Sequence, residues 1–361
     1  MLLNGRKPKI VCVADHFLVP SFYEECLKMF PDVELIGIPW FGSNTRNEIR
    51  KQVDKIEKEG ADAFDPPAEL FEMIKDADLL MTHLCPVPRK LLEASPIMPD
   101  GTRKLKYILA NRGGLENIDV KAAKDLGIPI LNNPAHNGNA VAEMTIALMI
   151  METRNLARAH HCLMQGQWME FFPNVGQVYE LRRKTIGLVG YGTIGRLMAE
   201  KLQPFNVRIL ANDINPAVFE NDPDLEKWGV EVVDLDTLLK ESDIVSLHVR
   251  NDKEQIIGQR EFDMMKPTAY FINTARAYLV DYDALIDTLQ NHRIMGAAIE
   301  VFPTEPLPVD SPFLKLDNVT LTNHRGGDTV NCYSDSPEYL LLALRKLLDE
   351  GKRPKFYIDC N

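Results

Sequence analysis

The chain has 361 residues, 45% of them hydrophobic and 26% charged, a composition typical of globular proteins and a length that suits two domains. Its formal net charge of −11 and pI of about 5.3 argue against nucleic acid or an anionic membrane as partner, since both reward a basic surface. The six cysteines (Cys12, Cys26, Cys85, Cys162, Cys332, Cys360) show no CxxC pair or metal-ligand spacing, so reduced thiols are expected, with no disulfide and no zinc.

MLLNGRKPK leads directly into the strand-like run Ile10–Ala14, and no apolar run reaches the roughly 18 residues of a membrane span, so a soluble, cytoplasmic protein is expected. Strand-like and helix-like patterns then alternate: a helix near Tyr23–Phe30, a strand at Val33–Ile38, a polar helix over Arg46–Glu59, a helix at Leu70–Lys75, and strands at Leu79–Thr82 and Leu105–Ala110. This order predicts a parallel sheet with helices on its faces. Two of the strands end in polar residues where open α/β sheets bind ligands: His83 after the first, Asn111-Arg112-Gly113-Gly114 after the second. His83 is either a substrate contact or a satisfied histidine, and the glycine pair either a binding turn or a simple one.

From Asn139 to about His161 runs one long helical pattern, apolar over most of its first half. A helix apolar nearly all round must be buried, either within one subunit or against a second, and its length favours a homodimer. The stretch from Thr185 to Asp213 comes next and organises the rest. A short apolar run breaks into Gly190-Tyr191-Gly192-Thr193-Ile194-Gly195, then a helix pattern, then a second apolar run ending at Asp213. This is the strand, glycine turn and helix that cradle a dinucleotide pyrophosphate on free helix-start N–H groups. Asp213 is placed to accept hydrogen bonds from ribose hydroxyls and to repel the extra phosphate of NADP, so the predicted cofactor is NAD. Further strands at Val230–Val233, Asp243–Val249, Ala269–Asn273, Gly296–Val301 and Val319–Thr322, with helices at Leu235–Lys240 and Asp283–Gln290, complete a doubly wound domain. The remainder, from about Asp328 through a Tyr339–Glu350 helix, is too short to fold alone and should pack back on the first domain.

Three strand ends in the second half carry an Arg, a Glu and a His: Asn273-Thr274-Ala275-Arg276, then Glu300 through Glu305, then Asn323-His324-Arg325-Gly326-Gly327. A cation for a carboxylate, a base for a hydroxyl proton and an acid to hold that base are the groups an alcohol oxidation needs.

Through AVAE, GYGTIG, VSLHV, MKPTAYFINTARAYLVD, GAAIEVFPTEP and LTNHRGG, the chain resembles the D-isomer-specific 2-hydroxyacid dehydrogenases from Leu105 to Gly327. The resemblance implies an α/β fold of two parallel-sheet domains, Rossmann-like and flavodoxin-like, with a cleft between them. Residues 1–116 and 328–361 would form the substrate-binding domain and 117–327 the NAD-binding domain. It implies that Arg276 holds the substrate carboxylate and carbonyl, that His324 donates and accepts the proton, and that Glu305 hydrogen-bonds His324 and raises its pKa. Thr193 and Ile194 would sit at the pyrophosphate, and His248, Val249 and Thr274, Ala275 and Arg276 at the nicotinamide ribose. Glu300 would contact the carboxamide, with His324 and Gly327 beside the cofactor. Backbone N–H groups of Gly113 and Gly114 would bind the carboxylate, with His83 and Arg112 nearby. The sequence departs from the family pattern at Arg250, Ala277, Glu300, Asn323 and Arg325, and THLCPVP replaces the usual polar substrate loop.

The implied activity is NAD-dependent interconversion of a D-2-hydroxy acid and its 2-keto acid. An NAD(H)-sensing, corepressor-like interaction protein on the same fold is the alternative; formate-type oxidation is opposed by Glu305, where that branch has Gln. Surplus cations at Arg112 and Arg325 suggest a larger polar substrate, such as a sugar acid or a phosphorylated hydroxy acid, unless they pair with acids such as Glu116 and Asp328.

Overall fold

The computed structural model describes residues 3, 5–43, 45–220, 222–249, 254–354 and 356–359; Arg250 and Cys360 lie outside the described residues. The chain begins with β1 (Lys9–Cys12), α1 (Pro20–Lys28), β2 (Glu34–Gly37), α2 (Arg46–Glu59), α3 (Ala68–Met73), β3 (Leu79–Thr82), α4 (Arg89–Ala94), β4 (Tyr107–Ala110), α5 (Val120–Asp125) and β5 (Ile130–Asn132). It continues with α6 (Gly138–Thr153), α7 (Leu156–Met164), β6 (Thr185–Val189), α8 (Thr193–Leu202), β7 (Arg208–Asn212), α9 (Asp224–Lys227), β8 (Val230–Val232), α10 (Leu235–Glu241) and β9 (Ile244–Leu247). Then come α11 (Gln259–Met264), β10 (Tyr270–Asn273), α12 (Tyr282–Gln290), β11 (Gly296–Ile299), β12 (Val319–Leu321), α13 (Val330–Ser334), α14 (Ser336–Glu350) and β13 (Tyr357–Ile358).

These elements form two compact units, residues 1–137 with 329–361, and residues 138–328. In the first, the strand order is β13-β5-β4-β3-β1-β2, a flavodoxin-like winding. All its pairings are parallel except β13, which adds antiparallel to β5 through Tyr357↔Leu131 and Ile358↔Ile130. The parallel sheet expected from sequence is thus present, with one antiparallel strand added at its edge, where a short strand following α14 covers the exposed side of β5. In the second unit the order is β12-β11-β10-β9-β6-β7-β8, the Rossmann winding, with every pairing parallel.

Side chains alternate across each sheet and split each unit's core in two. In β3, Leu80 joins Ile49, Ile56, Leu70 and Leu91 on one face, whereas Leu79 and Met81 join Tyr23, Leu340, Leu341 and Leu344 on the other. In the second unit, Val245 and Phe271 pack with Leu238, Phe262 and Leu285, while Ile244 and Ile272 pack with Leu148, Met198 and Leu202. Each such fully buried leucine contributes roughly 2 kcal/mol. Asp119, Asp234 and Asp281 set helix starts by accepting the N–H groups of Ala122, Thr237 and Ala284.

Two expectations are corrected. The first domain does not end near residue 116, because β5 hydrogen-bonds β4 through Ile108↔Ile130 and Leu109↔Leu131, so residues 117–137 complete the first sheet. The single helix expected over 139–161 is two, α6 and α7, broken at Asn155, whose backbone is left-handed at φ 57°. A buried amide pair stabilises the break: Asn155 donates to Asn174 Oδ1 at 2.7 Å, and Asn174 donates to the Thr153 carbonyl at 3.2 Å. None of the residues in α7 is buried.

Candidate active site

The turn between β6 and α8 has the shape a dinucleotide needs. Gly190 has φ 97°, and a Cβ there would lie 2.7 Å from the His248 carbonyl. At Gly195 a Cβ would come within 2.3 Å of the Gly190 oxygen, so turn and helix approach as only glycine allows. A Cβ at Gly192 would meet nothing within 4 Å; this residue caps α8, so open space adjoins the free N–H groups of Thr193, Ile194 and the rest of the first turn. Asp213, just past β7, accepts from the backbone N–H groups of Tyr191 at 2.8 Å and Asn215 at 2.9 Å. These bonds fix its carboxylate at the lip of the cradle with acceptor capacity to spare. His248 follows β9 nearby, and burial pushes its pKa down to about 3, so it stands there uncharged.

At the same C-terminal edge of the sheet, two strands from β6, Asn273 ties the turn after β10, accepting from Ala275 N at 3.0 Å and donating to the Arg276 carbonyl at 3.1 Å. Thr274 is buried against Thr145 of α6, with hydroxyls 2.9 Å apart, and Arg276 projects outward. Glu305 lies between two fixed partners: Oε1 accepts from Phe302 N at 2.9 Å, and Oε2 is 2.8 Å from Nδ1 of His324. Burial alone would raise the Glu305 pKa, but the bonds from Phe302 and His324 and the charges of His324 and Arg276 hold it below the ordinary carboxylate value. An ionised Glu305 only accepts, so Nδ1 of His324 carries a proton and Nε2 is the working nitrogen. Arg276, Tyr282, Phe302, Glu305 and His324 line one cavity of about 510 Å³.

Glu300, 2% exposed, accepts at Oε1 from Arg325 N at 2.9 Å and Gly326 N at 2.5 Å. It therefore clamps the loop that carries His324 and leads to Gly327. Ala277 opens a short helical turn without a positive φ, so its methyl group fits where the family usually has glycine.

In the first unit, Asn132 donates to the Gly113 carbonyl at 2.7 Å, and a Cβ on Gly113 would lie 2.9 Å from Pro134 and one on Gly114 2.2 Å from the Glu116 carboxylate. Gly113 is sterically required at the end of β4, because a Cβ there would meet the Pro134 backbone, whereas Gly114 is crowded only by the movable end of the Glu116 side chain. His83 is buried, its Nδ1 3.0 Å from Oδ2 of Asp15. The surplus cations are accounted for as ion pairs: Arg112 lies 3.3 Å from Glu116 and 3.5 Å from Glu57, and Arg325 pairs with Asp328. The pairs with Glu116 and Asp328 are the alternative the sequence left open to a larger polar substrate, while Nη1 of Arg112 is buried without a hydrogen-bond partner.

The sequence matches the family described as D-isomer specific 2-hydroxyacid dehydrogenase, NAD binding domain, over residues 146–326. It is 37% identical over 309 residues to a glyoxylate reductase of Thermofilum pendens, covering 81% of this chain and 85% of the relative. The chain belongs to this family. A hydroxypyruvate reductase of Thermotoga maritima is 36% identical, over 72% of this chain and 81% of that one. In fold, the dehydrogenase is similar to the NAD complex of a D-isomer specific 2-hydroxyacid dehydrogenase from Lactobacillus delbrueckii ssp. bulgaricus, with TM-score 0.71 and 22% identity, covering 97% of this chain and 100% of that one.

The dehydrogenase is therefore an NAD-dependent oxidoreductase acting on the CH–OH group of a hydroxy acid, and the corepressor-like alternative is not favoured. Sequence reasoning missed several residues that position its candidate groups. Asn273 and Tyr282 are invisible as motifs, yet Asn273 shapes the Arg276 turn and Tyr282 donates to the Val301 carbonyl just ahead of the Glu305 loop. Asp15 could have been suspected only from its place at the end of β1. Among the described residues no helix is long and apolar enough to cross a membrane.

Proposed function

We propose that His324, Glu305 and Arg276 carry out the interconversion of a D-2-hydroxy acid and its 2-keto acid. The observation that supports this most directly is the 2.8 Å contact between Glu305 and His324 in a cavity that Arg276 also lines. In the oxidative direction, Arg276 holds the substrate carboxylate by paired hydrogen bonds, and Nε2 of His324 takes the hydroxyl proton. Glu305 stabilises the imidazolium that forms and keeps the ring in the tautomer that can accept again. Bound NAD supplies the hydride acceptor for C2. Thr193 and Ile194 hold the pyrophosphate, Asp213 the adenine ribose, and His248, Val249, Thr274 and Ala275 flank the nicotinamide ribose; Glu300 and Gly327 set the wall next to it. The turn at Gly113 and Gly114 offers N–H groups to the substrate carboxylate, with His83 and Arg112 in the same region.

The protein also acts as a homodimer in this reading. Leu156, Leu163 and Met164 of α7, with Trp168, Met169 and Phe171 after it, are all exposed, a run of large apolar side chains that a second copy would cover. Sedimentation at several concentrations tests the dimer.

Steady-state NADH absorbance with a panel of 2-keto and 2-hydroxy acids tests the reaction. His324→Ala should lower kcat by a factor on the order of 10² to 10⁴ with little change in NAD affinity. Full activity in that variant would remove His324 from the mechanism.

A further inference from the structure

Asp213 stands just past β7, and one side chain ties together both groups that hold it. Arg196 is the fourth residue of α8, with its side chain 24% exposed. Nη1 of its guanidinium pairs with Asp222, whose side chain is buried, and Nη2 donates to the Val218 carbonyl. The Val218 N–H in turn donates to the Asn215 carbonyl at 3.1 Å, and the Asn215 N–H to Oδ1 of Asp213 at 2.9 Å. The same guanidinium lies 5.0 Å from the centre of the Tyr191 ring, which also stacks on Phe219 at 5.3 Å. The Tyr191 N–H donates to Oδ2 of Asp213 at 2.8 Å. Both oxygens of Asp213 therefore connect to one planar cation. Between Asp213 and Val218 the chain runs exposed from Ile214 to Ala217, so packing does little to fix it.

We infer that Arg196 is a positioning residue that fixes the Asp213 carboxylate and thereby sets the preference for NAD over NADP. The inference rests on the reading that Asp213 holds the adenine ribose. A carboxylate held at both oxygens keeps lone pairs for two ribose hydroxyls, and it cannot swing away from a phosphate placed on the ribose. Once loosened it can, which relieves the repulsion that excludes NADP and weakens the directed hydrogen bonds that favour NAD. A guanidinium suits the task because its edge binds an acid and a carbonyl together while its face lies against an aromatic ring. It is not a spare cation for the extra phosphate, since Asp222 already opposes its charge at contact distance.

Arg196→Lys keeps the charge and removes the planar fork, whereas Arg196→Gln removes both. The ratio of kcat/KM with NADH to that with NADPH, measured on glyoxylate and on hydroxypyruvate, should fall by about threefold or more in the first and about tenfold in the second. The loss should lie in the Kd for NADH, read by fluorescence titration, rather than in kcat. A general loosening of the fold would weaken both cofactors alike and leave the ratio in place. In an Asp213→Ala background, Arg196→Lys should change the ratio by less than about twofold, because the carboxylate it positions is gone. A rise of the ratio in Arg196→Gln would make the arginine an attractor of the cofactor phosphate and overturn the inference. An unchanged ratio in Arg196→Lys, or an undiminished effect of that change in the Asp213→Ala background, would overturn it too. Should Arg196→Gln not fold, as judged by circular dichroism, Arg196→Lys, which still faces Asp222 with a charge, decides alone. If Asp213→Ala itself leaves the ratio unchanged, the assignment of Asp213 to the ribose falls as well; if it narrows the ratio and the Arg196 variants do not, only the role of Arg196 falls.

Discussion

A carboxylate facing a histidine decides which ring nitrogen holds the proton and how firmly. Glu305→Gln replaces a charge with a dipole, so His324 loses the partner that favours its protonated form. The imidazolium formed in the oxidation then lacks its counter-charge, and kcat should fall by roughly tenfold or more in steady-state assays; an unchanged kcat would separate Glu305 from His324. Asp213 offers a second test at this scale. Its carboxylate is pinned by Tyr191 and Asn215 at the cradle, so Asp213→Ala should narrow the preference for NAD over NADP in kcat/KM; comparable use of both by the wild type would refute the assignment. Arg276, Glu305 and His324 were legible in the sequence because each follows an apolar run in register with the glycine turn. Asp15 was not, because its meeting with His83 depends on β1 lying next to β3, a pairing across 68 residues. Glu57 as a partner of Arg112 was not legible for a related reason: the two meet only once the fold brings α2 near the end of β4.

Among the elements, α6 and α7 depart most from what the sequence suggests. Periodicity registers apolar faces, and both helices fit one period, but a single left-handed residue at Asn155 redirects the chain. The bend is tied by Glu152, fully buried, which accepts from Thr320 Oγ1 at 2.5 Å and pairs with Arg158 of α7, while Arg158 donates to the Asp317 carbonyl at 2.6 Å. Burial raises the Glu152 pKa from 4.5 to about 7, against the pull of Arg158 and Thr320. A folded pKa above the unfolded one means the folded state holds a proton the unfolded chain has released. Its stabilising effect is complete below pH 4.5 and lost as pH rises through about 7. Denaturant unfolding at pH 5 and pH 8.5 should show a loss of up to about 3 kcal/mol from this group, and Glu152→Gln should flatten the slope. Equal slopes in both proteins would show that Glu152 does not titrate there. Elsewhere the elements matched their patterns closely, as with α2 over Arg46–Glu59, because buried strands and amphipathic helices have distinct periods.

For the molecule as a whole, the chain leaves the first unit at residue 137 and returns to it at 329. The returning segment supplies Leu340, Leu341 and Leu344 to the core that contains Leu79 and Met81. Deleting residues 329–361 should open the first unit to limited proteolysis while residues 138–328 stay protected; equal resistance of both units would show that α14 is dispensable. Both sheets and the return of the chain were readable from the alternation of strands and helices. The position of the first crossing was not, since nothing local tells β5 which sheet it will join.

That interleaving also imposes an order of events on synthesis. Residues 138–328 are 191 residues, all of which leave the ribosome before α14 exists. At about 5–20 residues per second this takes roughly 10–40 s, long enough for the second unit to fold while the first waits incomplete. Throughout that interval the face of the first sheet built from Ile10, Leu79, Met81 and Leu109 lacks its α14 cover. The nascent chain thus presents a sticky hydrocarbon surface for most of its translation, so a cell short of chaperones should lose this protein to aggregation at birth, before its native stability has any bearing on its fate.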